Sequence, residues 1–301
     1  MEEGYDYNKI KEVGKISYEA LQHSRKIVKE GKSVLGIAEE LENLIAEKGF
    51  EMAFPVNVSI NENAAHYTPT SNDPYILKGN EIVKIDIGAR KGTYLGDCAL
   101  TIDLSQKYSK LVEATEKALE AAISMVKAGR KVREIGKEIE RIAEGAGFKP
   151  IRNLGGHGIS QEDLHADVFV PNFDNGDETE LEEGQVIAIE PFLTDGEGLV
   201  SEGEFVEIFQ KNSDPQLRSN ESREISEIIS RKYLTFPFAL RWLNKELKNF
   251  GEFKIKRTLN DLVAADSLEL FPVLVEKKKG MVAQAEKEVI VQKDSCEVIT
   301  K

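Results

Sequence analysis

Five acidic and histidine side chains stand where a bound cation would compensate for their burial. Asp86 and Glu190 each end an apolar run, IVKID and VIAIE, that is typical of a buried strand. A carboxylate in that position is costly to desolvate unless a cation or a hydrogen-bond network compensates for it. The set is completed by Asp97, His157 and Glu286. Four carboxylates and one imidazole are too anionic for a single zinc ion but suit two divalent ions that share carboxylates, so the set predicts a two-metal hydrolase.

The histidines divide by their context. His66 (NAAHYTP), His157 (GGHGIS) and His165 (DLHADVFVP) lie in glycine-flanked or loop-like segments, whereas His23 lies within a helical pattern, LQHSRK. We interpret His23 as a surface or structural residue. Each of these acids and histidines, taken singly, also has a structural interpretation as a cap, an ion-pair partner or a satisfied loop residue. Taken together with their flanking motifs, these residues favour a role in metal binding or catalysis over a structural role.

The elements that must position these side chains come from a duplicated unit. Residues 20–50 match residues 118–148 without a gap at a constant offset of 98, and eleven positions are identical. Both segments read as two helices whose apolar residues recur at helical spacing and which stop at a glycine followed by phenylalanine. In the first copy Ser33 is the expected N-cap of the second helix.

A similar strand follows each helical pair, and Asp86 and Glu190 are the ends of these two strands. A twofold-related pair of α+β units would bring the two strand ends together at its centre. Asp97 follows Asp86 through DIGARKGTYLGDC, which predicts a hairpin with a tight turn at Arg90, Lys91 and Gly92. The hairpin would place Asp97 close to Asp86.

Residues 212–270 interrupt this pattern with short helical segments, the first of which begins near Ser222. We therefore expect a catalytic domain made of residues 1–211 and 271–301, and an inserted helical, winged-helix-like subdomain at 212–270. A formal net charge of -13 repels phosphate backbones, so structural packing is favoured over specific nucleic-acid recognition for the insertion.

Composition indicates a cytoplasmic protein. The 301 residues include only two cysteines, Cys98 and Cys296, which is typical of a reducing compartment and not of a disulfide framework. The N-terminus lacks a secretion signal, and no apolar run is long enough to cross a bilayer.

Four motifs carry a family resemblance that spans essentially the whole chain. KIDIGARKGTYLGDCALT, GGHGISQEDLHADVFVPN, VIAIEPFLTDGEG and MVAQAEKEVIV occur in the order found in the pita-bread metallopeptidases. Within that superfamily, AFPVNVSINENAAHYTP resembles the substrate-pocket segment of methionine aminopeptidases. The 95 residues between Glu190 and Glu286 leave room for the helical insertion of the type II enzymes. The resemblance implies a pita-bread fold, an archaeal origin and removal of the initiator methionine when the second residue is small.

The same resemblance implies a ligand set for two ions of cobalt, manganese, iron or zinc. Asp86 and Asp97 would bind one ion, and Asp97, His157, Glu190 and Glu286 the other, with Asp97 and Glu286 as bridges. A water held between the ions would attack the first carbonyl group of the substrate. Glu190 would then relay the proton to the leaving amine.

Four further residues receive roles from the resemblance. His165 would hydrogen-bond the carbonyl oxygen as it becomes an oxyanion, and His66 would contact the scissile peptide group and be alkylated by fumagillin-type epoxides. Phe54 and Pro55 would help to wall an apolar methionine pocket. The expected partner is the N-terminus of a peptide or nascent chain, with at most a transient ribosome contact, and the enzyme is expected to be a monomer.

The chain departs from the family pattern at three positions. Ala285 and Lys287 flank Glu286 where the family usually has an aromatic residue and a histidine, and Phe271 stands where a tyrosine is common.

Two other functions stay open. A proline-specific peptidase, prolidase or aminopeptidase P, would use the same ligands but normally carries a large N-terminal domain, and only 85 residues precede Asp86. A non-catalytic binding protein of this fold would typically have lost ligands.

Overall fold

The computed structural model describes residues 6–214, 217 and 219–301, and over these ranges the chain mixes α-helices with antiparallel strands. The helices are α1 (Tyr7–Ile27), α2 (Val34–Glu47), α3 (Ser109–Met125), α4 (Val132–Gly145), α5 (Asn220–Tyr233), α6 (Leu240–Glu246) and α7 (Glu252–Ala264). The strands of the first half are β1 (Glu51–Met52), β2 (Asn57–Ile60), β3 (Asn63–Ala65), β4 (Ile82–Ile87), β5 (Ala89–Lys91), β6 (Tyr94–Leu95) and β7 (Cys98–Asp103). Those that follow α4 are β8 (Lys149–Pro150), β9 (Gly155–Ser160), β10 (Asp163–Pro171), β11 (Val186–Ile189), β12 (Phe192–Thr194), β13 (Val200–Lys211), β14 (Phe238–Ala239), β15 (Leu268–Glu276), β16 (Val282–Gln284), β17 (Glu286–Val291) and β18 (Cys296–Val298). The predicted α+β class is confirmed.

The two helical pairs of the sequence repeat are present where they were predicted. Ser33 caps α2, because its hydroxyl accepts a hydrogen bond from the backbone N–H of Gly36 at 3.3 Å. Gly49 and Gly147 follow α2 and α4 with φ angles of 82° and 85°, a left-handed conformation that glycine adopts without a steric penalty. The repeated Gly-Phe stops therefore end equivalent helices.

Each helical pair covers its own hydrophobic core. The apolar stripes of α1 and α2 are buried in one cluster, and those of α3 and α4 are buried in a second. Ile37 and Leu41 represent the first stripe, and Ile135 and Ile139 the second; at most 1% of each is exposed. The interpretation of these stripes as core is confirmed.

The largest sheet brings the two halves together. Its strand order is β10-β9-β11-β17-β7-β4-β2, with β18 also paired to β17. β4 and β7 form the predicted hairpin, while Arg90 and Lys91 belong to the short β5 strand that pairs with β6. The turn is thus at Gly92 and Thr93, slightly later than the sequence predicted.

The register of this sheet places the carboxylates side by side. Asp86 and Glu286 are both paired with Ala99, from opposite sides of β7. Glu190 directly follows Ile189, which pairs with Lys287 on β17. The ends of the two equivalent strands therefore meet at one level of the sheet.

The segment between β13 and β15 contains α5, β14, α6 and α7, which pack around a separate apolar cluster. Residues 215, 216 and 218 of this predicted insertion lie outside the described residues. β13 and β15 form a long antiparallel pair, and β15 begins at Leu268, before the predicted return at residue 271.

A buried polar contact ties α6 to α2. The Arg241 guanidinium donates to Thr68 Oγ1 at 2.9 Å and pairs with Glu42, which also accepts a hydrogen bond from Trp242 Nε1 at 2.9 Å. Burial raises the pKa of Glu42, although these partners oppose the shift. Because such a group is costly to bury without partners, this contact fixes the inserted segment against the first half. None of the described helices combines the length and the apolar character needed to cross a membrane.

Candidate active site

Two groups of ligand atoms meet at the centre of the large sheet. Asp97, His157 and Glu286 form one group and Asp86, Glu190 and Glu286 form the other, with the atoms of each group within 4.8 Å of one another. They lie at a cavity of about 540 Å³, which Asp86, Asp97, His157 and Glu190 line directly. All five residues predicted as metal ligands are therefore together.

Burial and mutual repulsion make this cluster costly without a cation. Burial raises the pKa of Asp86 to about 7. Burial raises the pKa of Asp97, Glu190 and Glu286 well above the ordinary range. Repulsion adds to the shift, mainly from Asp86 at Asp97 and Glu190 and from Asp97 at Glu286. A bound cation would reverse this balance, since it stabilises the ionised form.

Several carboxylate oxygens of the cluster are buried without a hydrogen-bond partner among the described residues. They are Asp86 Oδ1, Asp97 Oδ1 and both carboxylate oxygens of Glu286. Buried polar atoms are normally satisfied, so a concentration of unsatisfied acceptors at one point requires an explanation. These oxygens are the hard donors that divalent ions prefer, and the residues present fit a metal centre.

The tautomer of His157 supports the same conclusion. Its Nδ1 lies 3.2 Å from the backbone oxygen of Gly158, which can only accept, so in the neutral ring Nδ1 carries the hydrogen. Burial keeps the ring neutral, because it lowers the pKa of His157 to about 3. The lone pair of Nε2 then faces Asp97 Oδ2 at 3.6 Å and Glu286 Oε1 at 4.0 Å. Three unprotonated acceptors that face one another repel, and a cation between them would remove this repulsion.

Gln284 is a site residue that the sequence interpretation missed. Its Nε2 donates to Asp86 Oδ2 at 3.1 Å and to Glu190 Oε1 at 2.8 Å. Its backbone is held by Thr101, whose hydroxyl donates to the Gln284 oxygen at 2.6 Å and accepts from the Gln284 N–H at 2.8 Å. One amide thus orients two carboxylates that come from different halves of the chain.

We expect the variant Gln284→Met to bind divalent metal about 10- to 100-fold more weakly than the wild type, because residues that orient ligands typically contribute that much to metal affinity. Methionine keeps a similar volume but cannot donate to either carboxylate. Calorimetric titration with Mn²⁺ measures the change, and Gln106→Met, at an exposed bend, is the control. Unchanged affinity would show that Gln284 does not orient the ligands.

Glu288 is a second acid that the sequence interpretation did not single out. It is fully buried, and its Oε2 accepts a hydrogen bond from the backbone N–H of Asp97 at 3.0 Å. Burial raises the pKa of Glu288 well above the ordinary range. The alternation of Gln284, Glu286 and Glu288 along MVAQAEKEVIV was the available signal, since alternate residues of a strand share a face.

His66 is held in an unusual backbone conformation at the cavity wall. Its φ angle is 66°, which non-glycine residues adopt rarely and which is concentrated at functional sites. Its Nδ1 lies 3.1 Å from the backbone oxygen of Pro272, so Nδ1–H donates and the Nε2 lone pair is free to act. Burial lowers the pKa of His66 to about 4, which keeps the ring neutral near pH 7.

His165 lies between His157 and the solvent. The ring centroid of His165 is 4.6 Å from that of His157 and 6.5 Å from that of Phe271. The ring centroids of Phe271 and His66 are 5.6 Å apart, in an edge-to-face arrangement. Partial enclosure lowers the pKa of His165, although Asp163 and Glu269 oppose the shift. The two predicted substrate histidines therefore flank Phe271 in one cavity wall.

The two residues predicted to wall the methionine pocket differ in their position relative to the cavity. Phe54 lines the cavity, but Pro55 does not; the backbone oxygen of Pro55 instead accepts a hydrogen bond at 2.8 Å from Asn57, which does line it. The role of Pro55 in the wall of the methionine pocket therefore stays a prediction, and its contact with Asn57 links it to the cavity. Ala285 packs in the second core and is not among the residues that line the cavity.

His23 lies outside this cavity. Its Nε2 contacts Glu40 Oε1 at 2.8 Å, and both side chains are partly exposed. Its interpretation as a surface or structural residue is confirmed.

Comparison with known proteins identifies relatives along the whole chain. The chain is 42% identical over 297 residues to the methionine aminopeptidase of Pyrococcus horikoshii, and the match covers 98% of this chain and all of the relative. It is 39% identical over 295 residues to the methionine aminopeptidase of Methanocaldococcus jannaschii, with 98% of each chain covered. The similarity therefore includes the segment between Glu190 and Glu286.

Solved structures share the fold at lower sequence identity. A thermophilic Arx1 matches with a TM-score of 0.84 and 19% identity over 97% of this chain and 89% of that one. The methionine aminopeptidase of Thermotoga maritima matches with a TM-score of 0.71 and 22% identity, over 99% and 98% of the two chains. These likenesses confirm the predicted pita-bread fold. The sequence pattern of metallopeptidase family M24 matches residues 8–212, and together with the relatives above it shows that the chain belongs to this family.

Proposed function

We propose that this chain is a type II methionine aminopeptidase that removes the initiator methionine from proteins whose second residue is small. The observation that carries the proposal is the pair of ligand groups that share Glu286, with unsatisfied oxygens, at an apolar-walled cavity. The full-length similarity to methionine aminopeptidases supports the substrate assignment.

Two divalent ions fit the donor set. Asp86, Asp97 and Glu286 would hold one, and Asp97, His157, Glu190 and Glu286 the other, so that Asp97 and Glu286 would be shared. When bound, the ions would polarise the substrate carbonyl and lower the pKa of water to provide a nucleophile at neutral pH. Cobalt, manganese, iron and zinc all accept such ligands, so availability decides among them.

The protein side chains would position the peptide and move its proton. His66 would accept the N–H of the scissile peptide at Nε2, since its other ring nitrogen already donates to Pro272. His165 would donate to the carbonyl oxygen as negative charge develops there. Glu190 would take up the proton of the attacking water and deliver it to the leaving nitrogen, while Gln284 holds the orientation of that carboxylate.

Specificity would come from the shape of the cavity. Phe54 and neighbouring apolar side chains would receive the methionine, and crowding near the carboxylates would restrict the second residue to a small one. We assign this catalysis to a domain of residues 1–211 and 271–301, with 212–270 as the inserted subdomain. A nascent-chain substrate would bring the monomeric enzyme near the ribosome only transiently.

The proposal predicts efficient release of methionine from Met-Ala and Met-Pro peptides and poor release from Met-Lys and Met-Glu peptides. Incubation with metal-loaded enzyme followed by mass spectrometry measures the products, and enzyme stripped by chelator is the control. Removal of alanine from Ala-Pro peptides in preference to methionine from Met-Ala peptides would favour the proline-specific alternative. No cleavage of any peptide would favour a non-catalytic binding protein.

A further inference from the structure

The cavity has a buried end and an exposed end. Asp97, which lines the buried end, is 3% exposed and keeps one carboxylate oxygen without a partner among the described residues. His165, Asp167 and Phe169 are exposed lining residues on β10, and Glu269 is exposed on β15 across the opening. We call Asp167, Phe169 and Glu269 the rim.

The position of the carboxylates orients a peptide substrate in this cavity. Its first peptide bond must reach the carboxylates at the buried end, so the chain beyond the second residue must leave through the exposed end. An extended chain advances about 3.3 Å per residue. Asp167 and Phe169 follow His165 on β10 by two and four residues, which is about 7 and 13 Å along the strand. The rim is therefore in position to contact residues just downstream of the cleaved bond, from about the third to the fifth.

Asp167 and Glu269 give the rim two negatively charged side chains. Asp167 and Glu269 form no ion pair within the described part of the chain, and no lysine or arginine lines the cavity. Glu269 lines the same cavity as His165, which places its charge at the opening. Phe169 is 43% exposed, two residues after Asp167 on the same strand, so it adds an aromatic surface beside the acid.

We propose that Asp167 and Glu269 form a second specificity element, which favours substrates with lysine or arginine at the third to fifth residues over substrates with aspartate or glutamate there. Opposite charges attract across the rim and like charges repel, and the face of Phe169 can accept a cation. The effect acts on capture of substrate, because the substrate charges that it distinguishes lie beyond the cleaved bond. The inference rests on the proposed function, since it concerns the same substrate.

Three peptides that share the start Met-Ala-Ser test the proposal, with Lys-Lys, Ser-Ser or Glu-Glu as the next two residues. We expect kcat/KM for the lysine peptide to exceed that for the glutamate peptide by about 10-fold at low ionic strength. Two weak surface ion pairs would favour the lysine peptide, and two weak repulsions would disfavour the glutamate peptide. The ratio should fall towards about 2 in about 0.5 M NaCl, because salt screens exposed charges. The difference in kcat/KM between the lysine and glutamate peptides should lie mainly in KM.

Variants of the two rim acids test whether these residues cause the ratio of kcat/KM values. Asp167→Asn and Glu269→Gln should each reduce the ratio, and the double variant should bring it to about 2 or less. Glu120→Gln, which removes an equal charge from an exposed position on α3, should leave it unchanged. Equal rates for the three peptides, or an undiminished ratio in the double variant, overturn this proposal while cleavage of the Ser-Ser peptide upholds the proposed function. Failure to cleave the Ser-Ser peptide overturns both.

Discussion

Replacing Asp97 by asparagine is expected to stabilise the metal-free protein by about 2 kcal/mol and to lower turnover of a Met-Ala peptide by more than about 10³-fold. Stability rises because Asp97 is buried and is repelled by Asp86, Glu190 and Glu288. Asparagine has nearly the same shape, and its amide can donate to a neighbouring carboxylate. Activity falls because the variant loses the charge of a proposed bridge between the two ions.

Thermal unfolding with and without Mn²⁺ measures the first effect, and peptide turnover the second. We expect the wild type to gain more stability from the metal than the variant does, since only ligands of the native state contribute to that gain. Glu120→Gln is the control for the loss of a surface charge. A variant with a wild-type rate, or with lower stability in chelator, would contradict the assignment of Asp97 as a ligand held under electrostatic repulsion.

The parts of the site that could be predicted from the sequence depend on local signals. Ser33 and Gly49 bound a helix through their own backbone preferences, and Asp86 and Glu190 stand out because an acid ends an apolar run. The duplication then supplied the long-range relation, because equivalent strand ends meet in the sheet. These features needed no knowledge of side-chain packing.

The remaining parts depend on register between distant strands. Gln284 reaches both Asp86 and Glu190 because β16 and β17 cross between the two halves, and no local pattern specifies that crossing. Phe54 and Pro55 show the same dependence, because apolar character does not indicate that Phe54 lines the cavity and its neighbour Pro55 does not. The conformation of His66 could not be predicted from local sequence either, because its ring is held by the backbone of Pro272 on β15.

The backbone of His66 has a functional implication. A φ of 66° costs free energy for a histidine, so the surrounding contacts must hold the residue there. Those contacts include the Nδ1–H donated to Pro272 and the edge contact with Phe271. Together they present a neutral Nε2 to the cavity before substrate arrives, which is the preorganisation that positioning of a peptide group requires.

The three cavity histidines are expected to differ when each is replaced by alanine. His165→Ala and His66→Ala should keep both metal ions but lose about 10²- to 10³-fold in turnover, as expected when one hydrogen bond to the reacting group is removed. His157→Ala should instead lose affinity for one ion, because its Nε2 lone pair faces Asp97 and Glu286. Metal titration by calorimetry separates the two classes of variant.

A fumagillin-type epoxide provides an independent test of the histidine assignment. His66 should be alkylated, because its Nδ1–H is engaged by Pro272 and a neutral, nucleophilic Nε2 remains on the cavity side. His23 is the internal control, since it lies outside the cavity and contacts Glu40. Peptide mapping after treatment locates the adduct, which should be absent from His66→Ala. An adduct on His23, or undiminished metal binding by His157→Ala, would show that the histidine roles are assigned wrongly.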